Sequence, residues 1–277
     1  MTTDLHECKG LPPRTPLIDC TALLSQPERL RAQARETGYL YLPGILPSSE
    51  VDALRSDLLG VAAAPEHAWL APDTEHDDGV VREGVFEGED IATPEYIAYY
   101  NDAQSIRRLH SLPHHPALLA VLQTLFGEEP FVHPRHIAHV LFPLDTEMLR
   151  QRDSGELQGK QDHLTTCPHQ DFWPVRGSAE TWTAWVPLGE CGQSLGGIEI
   201  AAGSHHLGEV STKHSLFLCF IVYSKHLLSL RSATPLQVGL FAGAPDDQTV
   251  RDGRAMGPDT DWHWSPTRSG DVILFHR

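Results

Sequence analysis

Residues 168–173 read Pro168-His169-Gln170-Asp171-Phe172-Trp173. On an extended chain, residues two apart share a face. His169 and Asp171 can therefore offer an imidazole nitrogen and a carboxylate oxygen to one ion. That pair plus one more histidine is the donor set that leaves coordination positions open on non-haem iron(II). The motif is short and the chain carries 17 histidines, so its surroundings decide what it means.

C-terminal to the motif the pattern is β. Residues 181–188, 197–201, 235–241 and 271–275 are short, rich in β-formers and bounded by Gly or Pro, and residues 131–142 read the same way just upstream. Further upstream the pattern is helical. Residues 27–36 put Leu30 and Ala34 on one face, and Gly38 ends the helix before a strand over Tyr39-Leu40-Tyr41-Leu42. Ser48 and Ser49 then read as caps of a second helix, with Val51, Leu54, Leu58 and Leu59 as its stripe. Residues 69–88 look like an acidic loop, and 96–112 and 117–126 like two more helices, the latter closed by Gly127. Helices first and strands later predict an α+β, mainly β chain with its N-terminal helices packed on one side of a β-sandwich or barrel. With strand alternation only one of Ala184 and Trp185 is expected to face inward.

The chain is one domain over residues 1–277, with residues 147–165 and 211–231 standing out as insertions. Its 21 basic and 37 acidic residues leave a net charge of -16, which argues against nucleic-acid or anionic-membrane partners. Five scattered cysteines without a Cys-x-x-Cys pair predict reduced thiols. With no apolar h-region in residues 1–10, the expected location is the cytoplasm. The partner expected is a small molecule, and the oligomeric state is open.

Several segments together resemble the phytanoyl-CoA dioxygenase family of 2-oxoglutarate oxygenases. They are His169-Gln170-Asp171, Thr183-Ala184-Trp185-Val186-Pro187-Leu188, Leu195-Gly196-Gly197-Ile198, Ala202-Gly203-Ser204-His205 and Leu207-Gly208. Gly38 to Gly44 looks like the family's opening strand, and Gly270 to His276 like its penultimate catalytic strand. The resemblance implies a double-stranded β-helix (jelly-roll, cupin-like) core, iron(II), 2-oxoglutarate as co-substrate, and hydroxylation of a small or medium organic substrate. It makes His169 and Asp171 the first two metal ligands and gives Arg135, Gln170 and Trp185 contacts to the co-substrate.

In the family a third ligand, His, and an Arg that clamps 2-oxoglutarate follow that penultimate strand. Here the sequence reaches only His276 and Arg277, both earlier than the family positions. His276 is the nearest third ligand, with His263 a possible stand-in whose other role is strand packing. The expectations that follow are a missing last core strand, weak iron binding and slow turnover. A truncated or non-catalytic protein of the same fold is the alternative, and a cupin-like enzyme using another metal is a third. His205 and His206 belong to the corner motif and are expected to be structural. His114, His115, His133, His136 and His139 show no ligand spacing, so surface or outer positions are expected for them.

Overall fold

The computed structural model describes residues 14–82, 85, 93–134, 136–140, 170–171, 180–192, 197–207 and 260–276. Residues 147–165, 211–231 and 235–241 lie outside this set, as do His169, Arg135 and Arg277.

Helix α1 (Pro27–Thr37) begins on a proline in its first turn and ends at Gly38 in the left-handed conformation, φ 76°. Strand β1 (Tyr39–Leu42) follows, then α2 (Ser48–Ala63). Val51, Leu54, Leu58 and Leu59 are buried as their spacing predicts. Ser48 and Ser49, however, lie inside the first turn of α2. Its N-cap is Pro47, which makes no side-chain cap bond.

The expected helix over 96–112 is broken in two, α3 (Pro94–Ala103) and α4 (Arg107–Ser111), followed by a 3-10 turn over Leu112–His114. Thr93 caps α3 by accepting the Tyr96 N–H at 3.2 Å. Helix α5 (Pro116–Phe126) closes on Gly127, φ 76°. Among the described residues no helix is long and apolar enough to cross a membrane.

Strands β2 (Trp182–Trp185) and β5 (Val272–His276) complete an antiparallel sheet in the order β1-β5-β2. The register pairs Tyr41 and Trp185 with Ile273, and Trp182 with His276. Strands β3 (Ile200–Ala201) and β4 (Trp262–His263) form a second, two-stranded antiparallel sheet.

Both faces of the three-stranded sheet are covered. One carries Leu40, Leu42, Ala184, Val272 and Leu274 into a core shared with buried residues of α1, α2, α3 and α5. The other carries Tyr39, Tyr41, Trp185 and Ile273 into a smaller cluster, on which Ile200 of the second sheet and its neighbours Ile198 and Ala202 pack. Val272, Ile273 and Leu274 are fully buried, each contributing about 1.5–3 kcal/mol of transfer free energy. Ala184 and Trp185 are accordingly both buried, at 7% and 0% exposure. Alternation sends them to opposite sides, but neither side is solvent.

The strand expected over 131–142 is not seen in its described residues. Residues 136–140 are irregular yet wholly buried.

Candidate functional site

The layer between the two sheets holds a polar network. Tyr39 reaches across it to His263 of β4, with its hydroxyl 2.6 Å from Nδ1. The other ring nitrogen, Nε2, lies 2.9 Å from Asp261 Oδ2. A carboxylate only accepts, so Nε2 carries the hydrogen and Nδ1 accepts from the tyrosine. Tyr39 in turn receives the Ile18 N–H at 3.1 Å, and Asp261 Oδ1 receives the Thr15 hydroxyl at 2.7 Å. Burial pushes the Tyr39 phenol up to about 12. The hydrogen bonds from Thr15 and His263 hold the Asp261 carboxyl below its usual range. His263 thus has both ring nitrogens committed within the protein, and the strand-packing role is the one it performs.

Trp185 is fully buried in this layer, beside Tyr39, Tyr41 and Ile273. Its indole Nε1 is a buried donor that meets no acceptor among the described residues. Natural interiors rarely leave such a group unmatched. Cys191 lies in the same cluster; burial pushes its thiol up to about 12, which makes it a poor nucleophile.

Of the motif, Asp171 is buried at 6% exposure and Gln170 half-buried. His169 and Arg135 lie outside the described residues. Among the described residues no three His, Cys, Asp or Glu side chains gather as a metal site.

His276 is separated from Trp185. Its cross-strand partner is Trp182, with ring centroids 5.2 Å apart, and Trp182 packs on the helix-side core. His205 meets His276 at 6.0 Å and is itself held by the Arg35 carbonyl at 3.0 Å. Trp185 and His276 therefore face different layers of the sheet. Residues 182 and 185 sit on opposite faces of β2, and 273 and 276 on opposite faces of β5.

One arrangement escaped the sequence altogether. His110 of α4 and His136 are joined through their Nδ1 atoms at 3.1 Å. Burial, followed by the nearby His110 and His114, lowers the His136 pKa to about 4. His136 and His139 are buried and not at the surface. The available signal was the apolar Ile137, Ala138 and Val140 beside them. The pairing itself joins residues 26 apart in sequence and has no local signature.

No family model matches the chain. A 1-deoxypentalenic acid 11-beta-hydroxylase of Streptomyces arenae is 28% identical over 258 residues, 93% of this chain and 74% of that protein. The hydroxylase of the same name from Streptomyces exfoliatus is 27% identical over 259 residues, 94% of this chain and 75% of that protein. Among solved structures, the non-heme alpha ketoglutarate dependent epimerase SnoN from nogalamycin biosynthesis aligns over 91% of this chain and 72% of its own, with 18% identity and a TM-score of 0.48. SnoN in complex with Fe3+, alpha ketoglutarate and nogalamycin RO gives 17% identity and a TM-score of 0.43, over 91% of this chain and 74% of that one.

Proposed function

We propose that the chain is an iron(II)- and 2-oxoglutarate-dependent hydroxylase of a small organic molecule, built on a double-stranded β-helix. The observation that carries this reading is similarity over 93% of the chain to the 1-deoxypentalenic acid 11-beta-hydroxylase of Streptomyces arenae, in a sequence that also carries the His169-Gln170-Asp171 motif.

The residues fit the group they would hold. Asp171 is a buried carboxylate, a hard oxygen donor of the kind iron(II) takes beside imidazole. The Trp185 indole is a buried donor in need of an acceptor, and a carboxylate oxygen of the co-substrate would satisfy it. His169 and Asp171 hold the metal in this reading, and Arg135, Gln170 and Trp185 contact 2-oxoglutarate. Tyr39, Tyr41 and Ile273 wall the layer and keep water out. Alternation turns His276 to the helix side, and it is given no part in the site. When bound, iron and 2-oxoglutarate would let dioxygen place one oxygen atom into a C–H bond and the other into succinate, with loss of CO2, while the protein orients and shields.

The test uses the metal-free full chain, titrated anaerobically with iron(II) and 2-oxoglutarate and read by visible charge-transfer absorbance. Succinate release is then measured with 1-deoxypentalenic acid and a panel of other small organic acids. The band should form, Asp171→Ala should abolish it while circular dichroism stays native, and one of the acids should stimulate succinate release. A chain that forms no band and releases no succinate is not this enzyme.

A further inference from the structure

Residues 136–140 are fastened to the helical layer by side chains instead of a strand ladder. The Gln104 amide, at the C-cap of α3, donates to the His136 carbonyl at 3.3 Å. The Tyr96 hydroxyl takes the Val140 N–H at 3.0 Å and lies 3.3 Å from its carbonyl. The third fastening is the His110–His136 pair at 3.1 Å.

The hydrogens of that pair follow from its neighbours. His110 Nε2 lies 2.8 Å from the Gln104 carbonyl, which can only accept. Nε2 therefore carries the hydrogen, and the neutral ring presents a bare Nδ1. His136 must donate from its own Nδ1. A second proton on His136 leaves that N–H···N contact in place, so what opposes it is the burial of the charge. A proton added to His136 would put a cation into a cavity lined by Leu54, Leu109, Leu118, Ile137, Ala184 and Val186.

The titratable groups acting on His136 are His110 of α4, His114 of the turn that follows, and His133, each of which opposes a positive charge there. Among the described residues, a backbone hydrogen bond involving His133 favours one. Helices α2 and α5 and strand β2 meet the cavity through Leu54, Leu118, Ala184 and Val186.

We propose that His110 and His136 form an acid-released clasp, whose protonation frees residues 136–140 from α3 and α4. The proposal does not depend on the reaction catalysed. The closed form holds His136 neutral down to about pH 4, whereas an opened, solvated histidine takes its proton near 6.5. The closed form is thus fully favoured above pH 6.5 and loses ground as pH falls from there towards 4.

Amide hydrogen exchange of the full chain, corrected for intrinsic rates, reads the opening. One linked proton raises the opening constant about tenfold per pH unit in that window. Wild-type residues 137–140 should show this slope, and His136→Gln, neutral at every pH, should show none. Equal slopes in both, or a flat wild type, would overturn the clasp. Should His136→Gln fail to fold, an NMR titration of the wild-type His136 ring decides the matter. Titration near 4 supports the clasp, and titration near 6.5 defeats it.

Discussion

Trp185 and His276 lie on opposite faces of one sheet, the first beside Tyr39 and Tyr41, the second against Trp182 and His205. A single ligand pocket can use one of them, and the buried indole N–H favours Trp185. Trp185→Phe keeps an aromatic ring, a smaller one, and removes the donor. A hydrogen bond to a charged acceptor contributes about 1.5–3 kcal/mol, so 2-oxoglutarate should bind about tenfold to a hundredfold more weakly, measured by calorimetry with iron present. His276→Ala should leave that affinity within about twofold. The reverse pattern would return His276 to the site.

Gly270 has φ 96°, and a Cβ there would sit 2.6 Å from the Leu46 carbonyl oxygen. The same peptide accepts the Leu46 N–H at 3.0 Å, which locks the two segments together before β5. Gly270→Ala combines a left-handed penalty of about 1–2 kcal/mol with a backbone clash of about 1–3 kcal/mol. The melting temperature should drop by roughly 4–20 °C for a chain of this size. Gly44 is the control: its φ is 65° with nothing near the added atom, and Gly44→Ala should cost only about 1–2 kcal/mol. Equal shifts in the two variants would refute the steric argument.

These elements show what the sequence made legible. Gly38 after Leu30 and Ala34, and the stripe of α2, announce themselves because local period and local turn chemistry agree with the final packing. β1, β2 and β5 were readable for the same reason. The burial of both Ala184 and Trp185 was not, because which faces of a sheet are covered depends on elements far off in sequence. Residues 136–140 look like a strand by composition, yet among the described residues they are held by Gln104, Tyr96 and His110. Tertiary partners overrode propensity there. Asp171 could be picked out by its spacing to His169, but the separation of Trp185 from His276 needed the register of β2 on β5.

Asp271 is 2% exposed and anchors the turn into β5. One oxygen accepts the Gly44 N–H at 2.9 Å. The other accepts the Tyr41 hydroxyl at 3.1 Å and the Arg268 N–H at 3.0 Å. Asp271→Ala strands three donors, at about 1–3 kcal/mol for each left without water. Denaturant unfolding should register a loss of about 3 kcal/mol or more. Tyr41→Phe removes one bond and should cost about 1 kcal/mol. The double variant should be less destabilised than the sum, since both changes remove the same contact. Strict additivity would mean the Tyr41–Asp271 bond contributes nothing.

The buried tyrosines give the chain an alkaline limit. Burial raises Tyr39 to about 12, and it raises Tyr41 and Tyr99 above their usual value too. An unfolded tyrosine releases its proton near 10. Above that pH the folded chain holds protons that the unfolded chain has lost, so stability is flat below pH 10 and falls as pH climbs towards 12. Tyrosinate absorbance and far-ultraviolet circular dichroism, followed together, measure this. Of the six tyrosines in the chain, at least Tyr39, Tyr41 and Tyr99 should ionise only as the helices are lost. The late absorbance step should therefore coincide with the loss of ellipticity. All six titrating reversibly near pH 10, with ellipticity unchanged, would mean that these hydroxyls are reached by water in the folded chain, and the two-sided burial of the sheet would be wrong with them.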